Sequence, residues 1–182
     1  MPRPHLSALG FACFGLCLAL VRAEAATPEL ESSIKATYLY KFPPFVEWPA
    51  ATFDGPSTPI QLCVVGDDAI GQIVDEAGRS QAAMLRPVVV RRLPAVVRDS
   101  GCHVVYIARD RADAASILER LRGSPVLTVT DEARDARNRG IVNFVVRDNR
   151  VRFEIDLAAA ANNGLALSSK LLNLALTIRP AP

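Results

Sequence analysis

Catalytic signatures are scarce in this chain. Its 182 residues include only two histidines. No G-x-S-x-G segment occurs, so a hydrolase triad built on a nucleophile elbow is excluded. The chain also lacks G-x-G-x-x-G and G-x-x-x-x-G-K-[ST], so the glycines that cradle nucleotide phosphates are missing. We therefore expect no catalytic residue and no cofactor, and we expect His103 to be a structural residue near the start of a strand.

A large excess of charge of either sign is also missing. The formal net charge is +2, and 22% of the residues are charged. Binding of nucleic acid through its phosphates needs a basic excess or a basic stripe, so this function is not expected. Half of the residues are hydrophobic, which argues against a disordered chain and supplies enough apolar side chains for one substantial core.

Long apolar runs are confined to the N-terminus. A basic start precedes a mostly apolar run over residues 6–21, and Ala23-Glu24-Ala25 forms an A-x-A cleavage signal. This order of features is typical of a secretory signal peptide. The alternative, an uncleaved membrane anchor, would be short for a membrane span. We predict a signal peptide over residues 1–25 and an exported, periplasmic domain over residues 26–182.

Cysteine is sparse in the predicted mature chain. Four cysteines occur, but Cys13 and Cys17 belong to the predicted signal peptide, which leaves Cys63 and Cys102. Two cysteines in an exported protein usually form a disulfide; two buried free thiols are the alternative. Two cysteines and one distant histidine lack the ligand spacing of a zinc site, so we expect no metal.

Strand and helix patterns alternate through the middle of the chain. Short apolar runs predict buried strands, and amphipathic segments between them predict helices. Such alternation is typical of a mostly parallel sheet with helices on both faces. The predicted strands cover residues 60–65, 88–90, 102–108 and 126–129, followed by a hairpin of residues 141–146 and 151–157. We predict a single three-layer α/β/α domain whose mostly parallel sheet of five to six strands ends in this antiparallel hairpin.

Helices are predicted at both ends of the domain. Thr27 and Pro28 form a helix start, with Thr27 as the cap. The predicted apolar face of this helix, at i, i+4 spacing, comprises Leu30, Ile34, Tyr38 and Phe42. Three later helices are predicted: one capped by Asp131 and reaching residue 138, one over residues 158–162, and one over residues 168–178.

Acidic residues follow two of the predicted strands. Asp67 and Asp68 follow the first strand, and Asp131 follows the fourth. Doubly wound sheets bind ligands at the carboxyl ends of their strands, so these three residues are candidates for ligand binding. Helix capping is the alternative, because acidic side chains are favourable at helix N-termini.

Aromatic residues make up only 6% of the chain, yet several concentrate between residues 38 and 48. Phe45 and Trp48 are candidates for partner binding, because aromatic side chains anchor interfaces. Packing between helix and sheet is the alternative. A homodimer through this aromatic segment is a further expectation.

An ordered set of segments resembles the YfiR-like family of periplasmic proteins. The segments are Lys35 to Phe42, Phe45 to Pro49, Cys63 to Asp68, Cys102 to Ile107, Leu127 to Asp131, Gly140 to Phe144, Val151 to Leu157, Gly164-Leu165 and Ser168 to Leu172. They occur in family order with compatible spacing over about residues 34–175, and the ordered set is more specific than any single piece.

The resemblance implies a regulator rather than an enzyme. Members of the family are periplasmic repressors of membrane-bound diguanylate cyclases, which limit cyclic di-GMP and biofilm formation by acting on the periplasmic region of the cyclase. An OmpA-like outer-membrane lipoprotein can sequester the repressor. The partners implied here are the periplasmic region of such a cyclase and a lipoprotein of this type.

The resemblance also supports a Cys63–Cys102 disulfide. Some members carry a second cysteine pair near the hairpin, but residues 143–152 contain no cysteine, so redox control through a second disulfide is not implied. A periplasmic sensor of a small ligand, bound near Asp67, Asp68 and Asp131, is the alternative function.

Overall fold

The computed structural model describes residues 27–66, 68–80 and 86–181. The predicted signal peptide and Asp67 lie outside these residues, and the side chain of Asp68 is not described. Within the described ranges, no helix has both the length and the apolar character needed to cross a bilayer.

The described residues form five α-helices and nine strands. The helices are α1 (Pro28–Lys41), α2 (Asp68–Ser80), α3 (Ala114–Leu121), α4 (Leu157–Asn162) and α5 (Ser169–Leu172). The strands are β1 (Val46–Glu47), β2 (Ile60–Val65), β3 (Val88–Arg92), β4 (Val104–Ile107), β5 (Leu127–Asp131), β6 (Val142–Arg147), β7 (Arg150–Asp156), β8 (Ala166–Leu167) and β9 (Thr177–Arg179).

Seven of these strands form one mixed sheet in the order β3-β2-β4-β5-β6-β7-β9. The first five are parallel, β7 runs antiparallel to β6, and β9 runs parallel to β7. The predicted α/β class and the hairpin are confirmed, although the sheet is larger than the five to six strands expected. The order of the parallel strands is flavodoxin-like, with the topological switch point between β2 and β4.

Helices cover both faces of the sheet, which gives three layers. On one face, Leu39 of α1 and Val74 of α2 share a buried core with Tyr106 of β4 and Phe144 of β6. On the other face, α3 packs against β2 and β4 in a second buried cluster. Strands buried on both faces are continuous apolar runs, and this explains the sequence Ile-Gln-Leu-Cys-Val-Val of β2.

The predicted apolar face of α1 is only partly correct. Thr27 caps the helix by accepting a hydrogen bond from the Leu30 amide, but Leu30 itself is exposed, and the buried face centres on Ala36, Leu39 and Tyr40. Residues four apart drift by about 40° per step around a helix of 3.6 residues per turn. The row of residues at i, i+4 spacing that includes the buried Phe42 therefore winds around the helix. At its other end, Leu30 faces away from the core.

Two of the predicted later helices need correction. Asp131 does not cap a helix but ends β5, and the short helical turn Ala136–Asn138 is 3-10 and capped by Asp135. The helix predicted over residues 168–178 begins at its Ser168 cap but ends at Leu172. The rest of that segment includes β9, which pairs with backbone groups of β7 that would otherwise face no strand.

Gly140 fixes how β6 enters the sheet. A Cβ at this position would lie 2.7 Å from the Thr128 carbonyl oxygen of β5. The Gly140 amide donates to Thr130 Oγ1, and the next amide, of Ile141, donates to Thr128 Oγ1. Only a residue without a side chain fits this approach of the backbone to β5.

Candidate functional site

An apolar groove lies at the amino ends of β2 and β3. Its volume is about 830 Å³. The walls combine four prolines with aliphatic and aromatic side chains: Pro43, Pro44, Val46, Trp48, Pro49, Phe53, Pro56, Ile60 and Val88. Arg86 also lines the groove. Prolines have little conformational freedom to lose, so this surface is largely organised before anything binds to it.

Phe53 holds one wall of the groove through ring contacts. Its ring centroid lies 5.8 Å from that of Trp48 and 4.6 Å from that of His103. The Arg86 guanidinium lies 4.1 Å from the same centroid, in cation–π geometry. Arg86 also donates to the carbonyl oxygens of Gly55 and Thr58, so its charge stabilises the loop that carries Phe53.

His103 links this loop to the sheet. Its Nδ1 accepts a hydrogen bond from the Gln61 amide at 2.9 Å, which requires a ring that is unprotonated at Nδ1. Burial lowers the pKa of His103; a hydrogen bond to the Thr52 backbone opposes this shift, and the charge of Arg86 adds to it. His103 thus connects the loop to β2 through Nδ1, and its structural role stays a prediction.

A second candidate site, the ion cluster, lies at the opposite end of the sheet. It consists of Glu31, Lys35, Arg109, Asp131 and Glu132. Lys35 is only 1% exposed. Its Nζ lies 2.6 Å from Asp131 Oδ1, bonds to Glu31 and lies 3.8 Å from Glu132. Asp131 further accepts a hydrogen bond from the Tyr106 hydroxyl.

The ion cluster already contains its own cations. The carboxylates of Glu31, Asp131 and Glu132 offer oxygen atoms within 4.8 Å of one another, which is a spacing that a metal ion could bridge. The ammonium of Lys35 contacts all three, and Arg109 bridges Glu31 and Glu132. The lysine therefore supplies the positive charge that these carboxylates require.

A cleft of about 800 Å³ opens beside the ion cluster. Its lining includes Glu31, Lys35, Arg109 and Asp131, so both signs of charge border it. It lies where β4 and β5 end, which is the edge at which doubly wound sheets take ligands. In this chain Lys35, in the middle of α1, covers that edge.

The predicted disulfide is present and links β2 to the segment that leads into β4. Cys63 of β2 and Cys102, which precedes β4, are bonded with a Cα–Cα distance of 5.8 Å and a sequence separation of 39. Both cysteines belong to the core cluster on the α3 face. The bridge is therefore a buried covalent link beside the switch point, between β2 and the segment that leads into β4.

The structure separates the predicted site residues. Trp48 lines the groove, whereas Phe45 packs against the main core and does not line it. Asp131 belongs to the ion cluster, and Asp68 begins α2. Trp48 and Asp131 therefore belong to two sites at opposite ends of the sheet.

Sequence reasoning missed Lys35, Arg109, Phe53 and Arg86. A signal for Lys35 was available: it follows Glu31 by four residues, the spacing of a helical ion pair, and it lies four residues before the buried Leu39. No comparable signal exists for Phe53 or Arg86, because their contacts depend on how the loop after β1 folds back on the start of β3.

Strand order and disulfide together define the class of this protein: a disulfide-bonded, doubly wound α/β domain with an apolar groove at one end of its sheet. The model of the family described as YfiR/HmsC-like matches residues 32–176, and the chain belongs to this family. A comparison with curated proteins gives no match. At the level of the family, this membership supports a periplasmic regulator of diguanylate cyclase rather than an enzyme, and the disulfide is consistent with export.

Proposed function

We propose that this protein represses an inner-membrane diguanylate cyclase by binding the cyclase's periplasmic region in the apolar groove. The groove carries this proposal, because it is a preorganised apolar surface with an aromatic anchor, Trp48, in its wall. Tighter binding to the inactive arrangement of the cyclase than to the active one lowers its output. A 100-fold preference corresponds to about 2.7 kcal/mol, which one modest interface supplies.

The remaining parts of the proposal concern the biological setting. Repression limits cyclic di-GMP and hence biofilm formation, and an OmpA-like outer-membrane lipoprotein relieves it by sequestering the repressor. Export uses the signal peptide of residues 1–25. N-terminal sequencing of protein from the periplasm should therefore begin at Ala26; a mature chain that retains the apolar run would contradict this part.

The groove is tested with a charge placed at its rim. Pro44 lines the groove and is exposed, so Pro44→Glu adds a charge there at little risk to folding. Val97→Glu, at a 52% exposed position that does not line the groove, is the matched control. In a strain that lacks the gene, we expect Val97→Glu to restore low cyclic di-GMP and Pro44→Glu to leave it high.

Capture of the tagged proteins from membranes gives the second readout. The wild type and Val97→Glu should retain the cyclase, and Pro44→Glu should lose it. A folded Pro44→Glu protein that represses fully and still captures the cyclase would reject the groove as the docking site. Unchanged cyclic di-GMP on deletion of the gene would reject repression itself.

A periplasmic sensor of a small ligand is the second candidate function. The cleft beside the ion cluster favours it, since charges of both signs, from Lys35, Arg109 and Asp131, border the space and suit a zwitterion such as an amino acid. Asp68, which begins α2, and Asp67, which lies outside the described residues, remain proposed contributors. A thermal-shift screen against amino acids and nucleotides tests this candidate; a melting temperature that rises with ligand concentration supports it, and flat curves throughout reject it.

A further inference from the structure

The outer edge of β9 takes no part in either candidate site. β9 is the last strand of the sheet and pairs with β7 alone, so one side of its backbone faces no other strand of residues 27–66, 68–80 and 86–181. Large apolar side chains are exposed on β9 and on the residues just before it: Ile178 at 40%, Leu176 at 40% and Leu174 at 57%. An open edge with apolar side chains is a template for another strand.

The apolar row of β9 continues the buried face of the sheet. Ile178 is in register with Ile155 of β7, and residues in register share a face. Ile155 is 2% exposed and belongs to the main core. Leu176, two residues before Ile178, lies on the same face. The apolar face of the main core therefore extends to the edge of the sheet, where the side chains of Leu176 and Ile178 are exposed.

The two edges of the sheet differ in their protection. β3, at the other edge, ends in two adjacent exposed arginines, Arg91 and Arg92. Charges on an edge strand oppose pairing with another chain. β9 carries one charge, Arg179, and Asp156 of β7 neutralises it at 3.0 Å. Arg92 of β3 is paired in the same way, with Asp75 at 3.0 Å, so the difference between the two edges rests on the charge of Arg91, which donates to the Ser100 carbonyl.

We propose that β9 pairs antiparallel with β9 of a second copy of this chain, about a twofold axis at Thr177. In this register Leu176 faces Ile178 of the partner subunit and Arg179 faces Ala175 of the partner subunit. No like charges meet, and the two apolar rows cover each other. The twofold axis uses the same edge of both copies, so the pairing closes into a dimer and does not extend.

Analytical ultracentrifugation of the mature protein tests this dimer. Ile178→Lys places a charge in the apolar row, and Val89→Lys is the matched control, since Val89 is a 42% exposed valine on the other edge strand. We expect wild type and Val89→Lys to form the same dimer, and Ile178→Lys to raise the dissociation constant at least about tenfold. Wild type that stays monomeric at every concentration, or a dimer that Val89→Lys weakens and Ile178→Lys does not, would overturn the proposal.

Cysteine substitution locates the axis independently. Two Thr177 residues at a twofold axis would have Cα atoms about 5.5 Å apart, within the range that a disulfide spans. Thr177→Cys should therefore give covalent dimers on mild oxidation, and Arg91→Cys on β3 should not.

The cyclase assay separates this dimer from the proposed repression. If folded Ile178→Lys is monomeric and still represses, dimerisation through β9 is not required for the repression that we assign to the groove. If the wild type is monomeric and Ile178→Lys loses the cyclase, the edge binds the cyclase and not a second copy.

Discussion

Lys35 of α1 and Asp131 of β5, which are 96 residues apart in sequence, form a buried ion pair with 2.6 Å between Nζ and Oδ1. The pair fastens the middle of α1 to the carboxyl end of the sheet. Tyr106 and Arg109, from β4 and the residues after it, approach the same carboxylate. One side-chain contact thus ties the N-terminal helix to two central strands.

Removing the ammonium should be strongly destabilising. Lys35→Met leaves the carboxylates of Glu31, Asp131 and Glu132 facing one another with Arg109 as their remaining partner in the cluster. Breaking a buried pair by deleting one partner typically costs about 3–5 kcal/mol. Urea unfolding followed by circular dichroism measures the loss.

Lys41→Met is the matched control, because Lys41 is the exposed lysine of the same helix. It should change the free energy of unfolding by no more than about 0.5 kcal/mol. The double variant Lys35→Met with Asp131→Asn should recover part of the loss, since it removes one uncompensated charge. Equal effects of Lys35→Met and Lys41→Met would contradict the role given to Lys35.

Stability should fall as pH drops below the ordinary pKa of histidine. Burial lowers the pKa of His103 in the folded state, so the unfolded chain binds more protons in this range. The stabilisation is complete above about pH 6.5 and is lost as pH falls toward the lowered pKa. The melting temperature should therefore drop as pH falls from about 6.5 toward the lowered pKa of His103.

His103→Asn isolates this effect. The amide oxygen can accept the Gln61 amide hydrogen bond in place of Nδ1, but it does not titrate. The variant should show a flatter pH dependence than the wild type over the same interval. Parallel curves for both proteins would assign the slope to other groups.

Loss of the disulfide should cost stability through the unfolded state. Closing a loop of about 40 residues is worth about 4 kcal/mol in the chain-entropy treatment. For a domain of this size that corresponds to a melting temperature lower by roughly 8–16 °C. Calorimetry of Cys63→Ala/Cys102→Ala against the oxidised wild type measures it, and a shift under about 2 °C would show that the bridge adds little.

Gly140→Ala should disturb the contact between β5 and the start of β6. The added methyl group would meet the Thr128 carbonyl at 2.7 Å, and overpacking of this kind costs about 1–3 kcal/mol. Gly55→Ala is the control, since its methyl group would meet only Thr58 Oγ1 at 4.0 Å. The denaturant midpoints of unfolding of the two variants test this prediction. Equal midpoints would show that β5 accommodates the methyl group with no loss of stability.

The central parallel strands were predictable because their sequences are almost entirely apolar. The apolar run of β2 admits little besides a buried strand, and the alternation of β7 from Val151 to Asp156 defines a half-covered one. Two positive-φ residues, Asp148 and Asn149, turn the hairpin, as their preference for the left-handed region predicts.

The rest depended on contacts that sequence does not display. β9 has three exposed residues and no burial pattern of its own; it is a strand because β7 has a free side. β1 and β8 are two residues each and pair with each other in a separate two-stranded sheet. In the ion cluster, Asp131 was identified from its place after a strand, but its partner Lys35 comes from a helix far away in sequence.

The order of the strands in the sheet differs from the order in which they are synthesised, and this affects folding. β2 is the first long strand to be synthesised, yet it lies inside the sheet, between β3 and β4. Until Ile107 has followed, this apolar segment cannot complete both of its ladders, and pairings of such separation form slowly. The apolar strand β2 therefore stays incompletely paired during synthesis until the residues of β4 are available, and unpaired strand edges of this kind are prone to aggregation.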